Sequence, residues 1–172
     1  REPRFYGTVL YNGAGWKNRT INTTPDDPIE GIVEYGGSQT EPKRTVTGYY
    51  VRKMLDESNT NFVQLRSTQP WMEMRYAEIL LIDAEAKTKL NDVGGAQSSL
   101  NKLRNKRGLP NTPATTPTQL MTAIEHERKV ELAFEGHRWF DLVRTGRALP
   151  VLQAKAAAIG IKTQLTQNNL IW

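Results

Sequence analysis

The densest chemistry in this sequence lies between Ile124 and Arg144, where Glu127, Arg128, Glu131, Glu135 and Arg138 alternate with apolar residues. Advancing about 100° per residue from Leu120 places Leu120, Ile124, Leu132, Phe134, Trp139 and Leu142 in one arc, from about −40° to about +120°. The five charged residues fall inside that arc. An unpaired charge on such a stripe costs several kcal/mol, so each must find a partner or take part in chemistry. One reading makes Glu131 and Glu135 the acid and base of a glycoside hydrolase. The other makes all five a structural charge network that fixes how the helix packs. The near-equal number of positive and negative groups favours the network.

Other chemistries find little support. The chain's two histidines, His126 and His137, project to the opposite face and stand about 16 Å apart along a helix, too far to share a metal unaided. No H-E-x-x-H, glycine-rich phosphate loop or G-x-S-x-G is present. There is no cysteine, which removes thiolate zinc sites, cysteine nucleophiles and disulfides. We therefore expect no metal and no cofactor. A net charge of +5 is scattered rather than gathered into a basic block, so no nucleic-acid partner is expected either. The cluster Lys102, Arg104, Lys106 and Arg107 reads as a solvated helix end, where cations favour the dipole.

The elements that must position these groups divide the 172 residues in three. Residues 1–70 are rich in Gly, Asn, Thr, Tyr and Pro. Short β-prone runs, Arg4–Tyr11, Gly31–Tyr35 and Thr45–Arg52, alternate there with turn signals such as Asn12-Gly13. Residues 71–150 read as a helical scaffold. Ala77, Leu80, Leu81 and Ala84 recur at helical spacing, with Asp83/Lys87 and Glu85/Lys89 as i,i+4 pairs. After a stop and new cap at Asn91-Asp92, Ala96, Leu100 and Leu103 mark a second helix ended by Gly108-Leu-Pro110. Together they form an αα-hairpin over 71–108, close to one tetratricopeptide unit. Thr116, Pro117 and Gln119 make a capping box that opens a long helix expected over 116–145. Residues 151–172 read as a short apolar helix with a truncated tail. The first residue is Arg and no signal region follows it, so the chain reads as a piece of something longer.

Several of these stretches are familiar. Met74 to Ala86, beginning Met-Arg-Tyr-Ala-Glu, resembles the R-Y-A-E-x-L-L-x-x-A-E-A segment of the SusD/RagB family. Ala96 to Leu109, ending Leu-Arg-Asn-Lys-Arg-Gly-Leu, resembles the helix that follows it there. Ile124 to Arg144 is similar to that family's I-x-x-E-R-x-x-E-L-x-F-E-G-x-R-x-x-D-L-x-R helix. Pro3 to Val9 and Tyr11-Asn-Gly resemble its middle region. The resemblance implies a mainly α fold: a tetratricopeptide-like helical scaffold preceded by a loop-rich segment with a few short strands, all within one larger SusD-like domain. It implies a lipoprotein on the outward face of the outer membrane of polysaccharide-using bacteria, held by a lipid anchor outside this chain. Such proteins bind oligosaccharides without catalysis and pass them to a SusC-like TonB-dependent outer-membrane transporter. The family motif belongs to the scaffold, which agrees with the structural reading of the charged stripe.

Sugar rings present apolar faces and many hydroxyls, so a receptor needs exposed aromatic rings, short amides and forked guanidinium donors. The loop-rich segment supplies them. Trp16 is the expected platform, with Tyr11, Asn12, Asn18 and Arg19 beside it and Tyr35 as a further candidate. Trp71 and Trp139 read as core. A rival expectation is a protein-interaction scaffold that docks the transporter without touching sugar, and a glycosidase using Glu131 and Glu135 ranks third.

Overall fold

The computed structural model describes residues 1–33, 44–58, 70 and 72–158. Tyr35, Trp71 and Trp172 lie outside the described residues. In chain order the elements are α1 (Pro3–Thr8), β1 (Val9–Leu10), β2 (Gly15–Trp16), β3 (Arg19–Thr20), β4 (Tyr50–Val51), α2 (Tyr76–Lys89), α3 (Val93–Lys106), α4 (Pro117–Glu131), α5 (His137–Arg144) and α6 (Ala148–Ala158). The architecture is mainly helical with a few two-residue strands, as the sequence predicts.

Helices α2 and α3 pair as the expected hairpin, and α4 packs across them. The larger core is built from the residues that recur at helical spacing: Ala77, Leu80, Leu81 and Ala84 of α2, Ala96, Leu100 and Leu103 of α3, and Leu120 and Ile124 of α4. Local signals set the boundaries. The Asp92 carboxylate accepts a 2.9 Å hydrogen bond from the Gly95 N–H and so caps α3. Thr116 and Gln119 complete both halves of the capping box on α4. The pair Asp83–Lys87 forms at 2.7 Å, whereas Glu85 passes over Lys89 and takes Arg144 at 2.6 Å. A guanidinium docked from α5 satisfies both oxygens of Glu85, which a neighbouring Lys cannot do.

Two expectations fail for physical reasons. The Arg4–Tyr11 run is not a strand. Pro3 sits in the first helical turn and pre-sets its φ, so the chain enters as α1, and only Val9–Leu10 are extended. Likewise Thr45–Arg52 contributes only β4, which pairs antiparallel with β1 through Val9↔Val51 and Leu10↔Tyr50. Residues 31–33 form no regular element.

The long helix 116–145 is also broken, between Glu131 and His137. Phe134 (φ 65°) and Gly136 (φ 83°) occupy the left-handed region, and Leu132 is the last residue before the break. The carbonyls that would have continued the helix are taken by other segments. Arg75 Nη2 donates to the Glu131 carbonyl at 2.6 Å, and Lys53 Nζ donates to the Glu131 and Ala133 carbonyls at 2.7 and 3.1 Å. Cations at a helix C-terminus satisfy orphan carbonyls and match the negative end of its dipole. The break resets the helical phase, so Phe134 is exposed rather than core, while Leu132 and Leu142 stay buried.

A second, smaller core holds the loop-rich part: Leu10, Ala14 and Ile21, with Tyr11, Trp16 and Tyr50 packed against it. The β2–β3 hairpin turns through Lys17 (φ 47°) and Asn18 (φ 63°), two left-handed residues in succession, the geometry of a tight hairpin turn.

Candidate functional site

Two groupings of side chains could do chemistry, and α1 contributes to both, Arg4 to one and Phe5 and Tyr6 to the other. The first is ionic. Glu127, Glu131 and Glu135 are spaced four residues apart, and their carboxylates meet cations drawn from the rest of the chain. Glu127 lies 2.6 Å from Arg4 and 2.7 Å from Arg104. Glu131 binds Arg75 and Arg107, each at 2.7 Å, and Arg4 at 3.1 Å. Glu135 binds Arg75 at 2.8 Å and pairs with Lys53. A parallel set anchors α5: Arg128 meets Asp141 at 2.9 Å, and Arg144 joins the same carboxylate at 3.0 Å.

Electrostatics decide what this cluster can do. Burial opposes ionisation of Glu131, but the hydrogen bonds and charges of Arg107 and Arg75 prevail and pull its pKa from 4.5 down to about 2. Burial opposes ionisation of Glu135 too, yet Arg75 and Lys53 hold it below the ordinary carboxylate range. A general acid must still carry its proton near working pH. Both carboxyls are held toward the ionised form, which weighs against either as the acid of the glycosidase reading. What the cluster does is fasten α4 to α1, α2, α3 and the segment around Lys53. Arg138 makes none of these ion pairs among the described residues, because it lies beyond the helix break.

The second grouping is aromatic. Phe5, Tyr6, Tyr11 and Tyr49 form a connected set, with Phe5–Tyr6 centroids 5.5 Å apart, Phe5–Tyr11 5.4 Å, Tyr6–Tyr11 5.8 Å and Phe5–Tyr49 6.3 Å. Two of these pairs are edge-on at 87° and 86°, an arrangement that the ring quadrupole favours. The Arg1 guanidinium stands 4.3 Å from the Phe5 ring centroid. Tyr6 and Tyr49 are 44% and 43% exposed, so the set offers ring surface and hydroxyls to solvent.

The structure places the expected sugar-contacting residues unevenly. Trp16 is half-buried against the smaller core rather than free in a loop, with Lys17 Nζ 5.4 Å from its ring. Tyr11 joins both that core and the aromatic set. Arg19 is occupied: its Nη1 donates to both Glu30 oxygens at 2.7 Å. The Asn12 side-chain oxygen accepts from the Thr23 N–H at 3.0 Å and so ties two loops together. Asn18 is exposed on the hairpin turn. Trp139 is half-buried.

Several residues escape the sequence reading. Tyr6 and Tyr49 were hidden by reading their runs as strands. Arg104 and Arg107, expected at a solvated helix end, instead reach Glu127 and Glu131. One signal pointed to them: three carboxylates at i, i+4 and i+8 on an apolar stripe demand cations from other elements. Among the described residues no group of three or more His, Cys, Asp or Glu is arranged to hold a metal. No described helix is long and apolar enough to cross a membrane.

Comparison with known proteins places this arrangement. A model of the SusD family matches residues 1–169. SusD-like protein P38 of Formosa agariphila is 36% identical over 107 residues, which span 57% of this chain and 20% of that protein. SusD-like protein P2 of the same organism is 36% identical over 100 residues, 51% of this chain and 17% of the relative. The crystal structure of a SusD-like protein from Bacteroides fragilis superposes with a TM-score of 0.68 at 33% identity, covering 85% of this chain and 28% of that one. A SusD superfamily protein from Bacteroides vulgatus shares the fold, with a TM-score of 0.64 at 18% identity over 95% of this chain and 34% of its own. The chain thus spans only a fifth or less of the curated relatives named here. With the family model matching residues 1–169, the chain belongs to the SusD family.

Proposed function

We propose that the chain is part of a non-catalytic, lipid-anchored oligosaccharide-binding protein on the outward face of an outer membrane. Its cargo would go to a SusC-like TonB-dependent transporter. The match of the family model to residues 1–169 carries this reading. The ion-paired carboxylates support it, since they hold the scaffold and are unsuited to acid catalysis. The sugar-facing surface we assign to the aromatic side of the loop-rich part. Tyr11 and Trp16 are the central rings, Tyr6 and Tyr49 the exposed ones, with the Asn18 amide at the turn. Asn12 and Arg19 shape this surface through Thr23 and Glu30. Tyr35, the sixth residue expected from sequence, lies outside the described residues.

Calorimetric titration with neutral plant, host and microbial oligosaccharides tests the reading. We expect dissociation constants on the order of micromolar to millimolar, typical of modest contact area. Tyr6→Ala and Tyr49→Ala should weaken binding by up to about tenfold while the thermal midpoint holds, because aromatic stacking contributes roughly 0.5–1.5 kcal/mol. Trp16→Ala should also weaken binding, with some loss of midpoint from the smaller core. A midpoint that collapses while Tyr6→Ala binds normally would make these rings structural only. Ile79, Ile82, Phe140 and Val143, between 42% and 71% exposed on α2 and α5, favour a second reading. They would meet a protein partner rather than sugar, and heat-silent titrations would shift weight to it.

A further inference from the structure

A pocket of about 450 Å³ opens between α1, the Lys53–Met54 segment and the C-terminal end of α4, within the roughly 300–1,000 Å³ of small-molecule sites. Its charged lining is one-sided. Arg4, Lys53, Arg75 and Arg107 face one carboxylate, Glu131. Over the whole network, Arg104 makes a fifth cation against Glu127, Glu131 and Glu135, and Glu2, paired with Arg4, makes a fourth anion. Among these groups, five cations face four anions. Arg107 spends its Nε and Nη2 on Glu131 at 3.2 and 2.7 Å, which leaves Nη1 with no acceptor among the described residues. The depressed pKa of Glu131 reports the same positive surroundings.

The rest of the wall carries no charge: Met54, Met72, Val130, Gly7 and Thr8. Met54 is held at φ 63°, a conformation that costs an L-residue about 1–2 kcal/mol and tends to persist at ligand-holding sites. An apolar wall beside forked cationic donors suits a ring that carries a negative group. We infer that this pocket receives an acidic sugar, a hexuronic acid whose carboxylate meets the Arg107 guanidinium while its ring lies against the methionines. This inference rests on the glycan-binding reading and adds a charge preference to it, at a pocket separate from the aromatic surface.

The test uses a position that leaves the ion pairs untouched. A Cβ built on Gly7, which lines the pocket, meets nothing within 4 Å, so Gly7→Glu adds a negative charge beside the pocket and Gly7→Ala is its control. Glucuronate and galacturonate, as monosaccharides and short oligomers, are titrated beside glucose oligomers and sodium sulfate. We expect uronates to bind at least tenfold tighter than glucose, Gly7→Glu to abolish that advantage, and Gly7→Ala to keep it. Arg107→Gln should weaken uronates more than glucose. Equal affinity for uronate and glucose would overturn the inference, as would sulfate competing as well as uronate, which would make the pocket a general anion site. If neutral oligosaccharides bind and Gly7→Glu changes nothing, the acidic-sugar inference falls while glycan binding stands. If no sugar gives heat, both fall.

Discussion

Glu131 is the residue on which most of the scaffold converges. Its carboxylate is buried and bound by Arg4, Arg75 and Arg107, and its carbonyl accepts from Arg75 and Lys53. Removing one partner of a buried ion pair typically costs 3–5 kcal/mol, because the others are left desolvated. We expect Glu131→Gln to lower stability by about 3 kcal/mol, seen as a lower urea midpoint with an unchanged m-value. A loss below about 1 kcal/mol would mean that the cluster is solvated. The pH dependence has a definite sign. A drop from 4.5 to about 2 in the folded state corresponds to roughly 3 kcal/mol. That contribution is complete above the unfolded value near 4.5 and is lost as pH falls toward 2. Glu135 is shifted in the same direction and adds to the loss. The thermal midpoint should therefore be level from pH 5 to 7 and fall steeply below about pH 4.5, and in Glu131→Gln that fall should be shallower. At this scale the sequence disclosed half of each pair. The spacing of Glu127, Glu131 and Glu135 on an apolar stripe is a local fact, whereas Arg4, Lys53 and Arg75 reach them across as many as 127 residues of chain.

Among the elements, those whose signals are local were legible. The apolar spacing of α2 and α3 and the Thr116–Gln119 box each specify their helix without help from elsewhere. The break after Glu131 was not legible, since its cause is tertiary: cations from other segments cap α4 and make a second start at Gly136 affordable. Short strands were misread for a related reason, since a two-residue strand carries too little period to outweigh Pro3 at a helix start. The break makes a prediction at this scale. Gly136 holds φ 83° at the N-terminus of α5, and an added Cβ meets no atom there. Gly136→Ala therefore isolates backbone strain, with an expected cost of about 1–2 kcal/mol. Chemical denaturation measures it, and a neutral effect would show that α4 and α5 can join into one helix.

On the scale of the whole molecule, the described residues form two apolar cores and an ionic junction. The helical core of Leu81, Leu100, Leu120 and Ile124 and the loop core of Leu10, Ala14 and Ile21 are separate clusters. The links between them that the structure displays are polar. Arg4 of α1 reaches Glu127 and Glu131, and Lys53, beside β4, reaches Glu135 and two carbonyls at the end of α4. Hydrophobic contact holds each part together non-directionally, whereas ion pairs fix geometry, so the junction sets how the aromatic surface is presented by the scaffold. Breaking it should loosen one part and spare the other. We expect Lys53→Met to speed native-state hydrogen exchange at the amides of Arg52 and Lys53, which bond to the Thr8 carbonyl at 2.9 and 3.2 Å, and at Gly13 and Ile21. Exchange at Leu81 and Leu100 should be unchanged, because the α2–α3 core does not depend on the lysine. A uniform rise at all of these amides would mean that the two cores unfold as one unit, and the junction would then be a contributor to global stability rather than a hinge point between two parts.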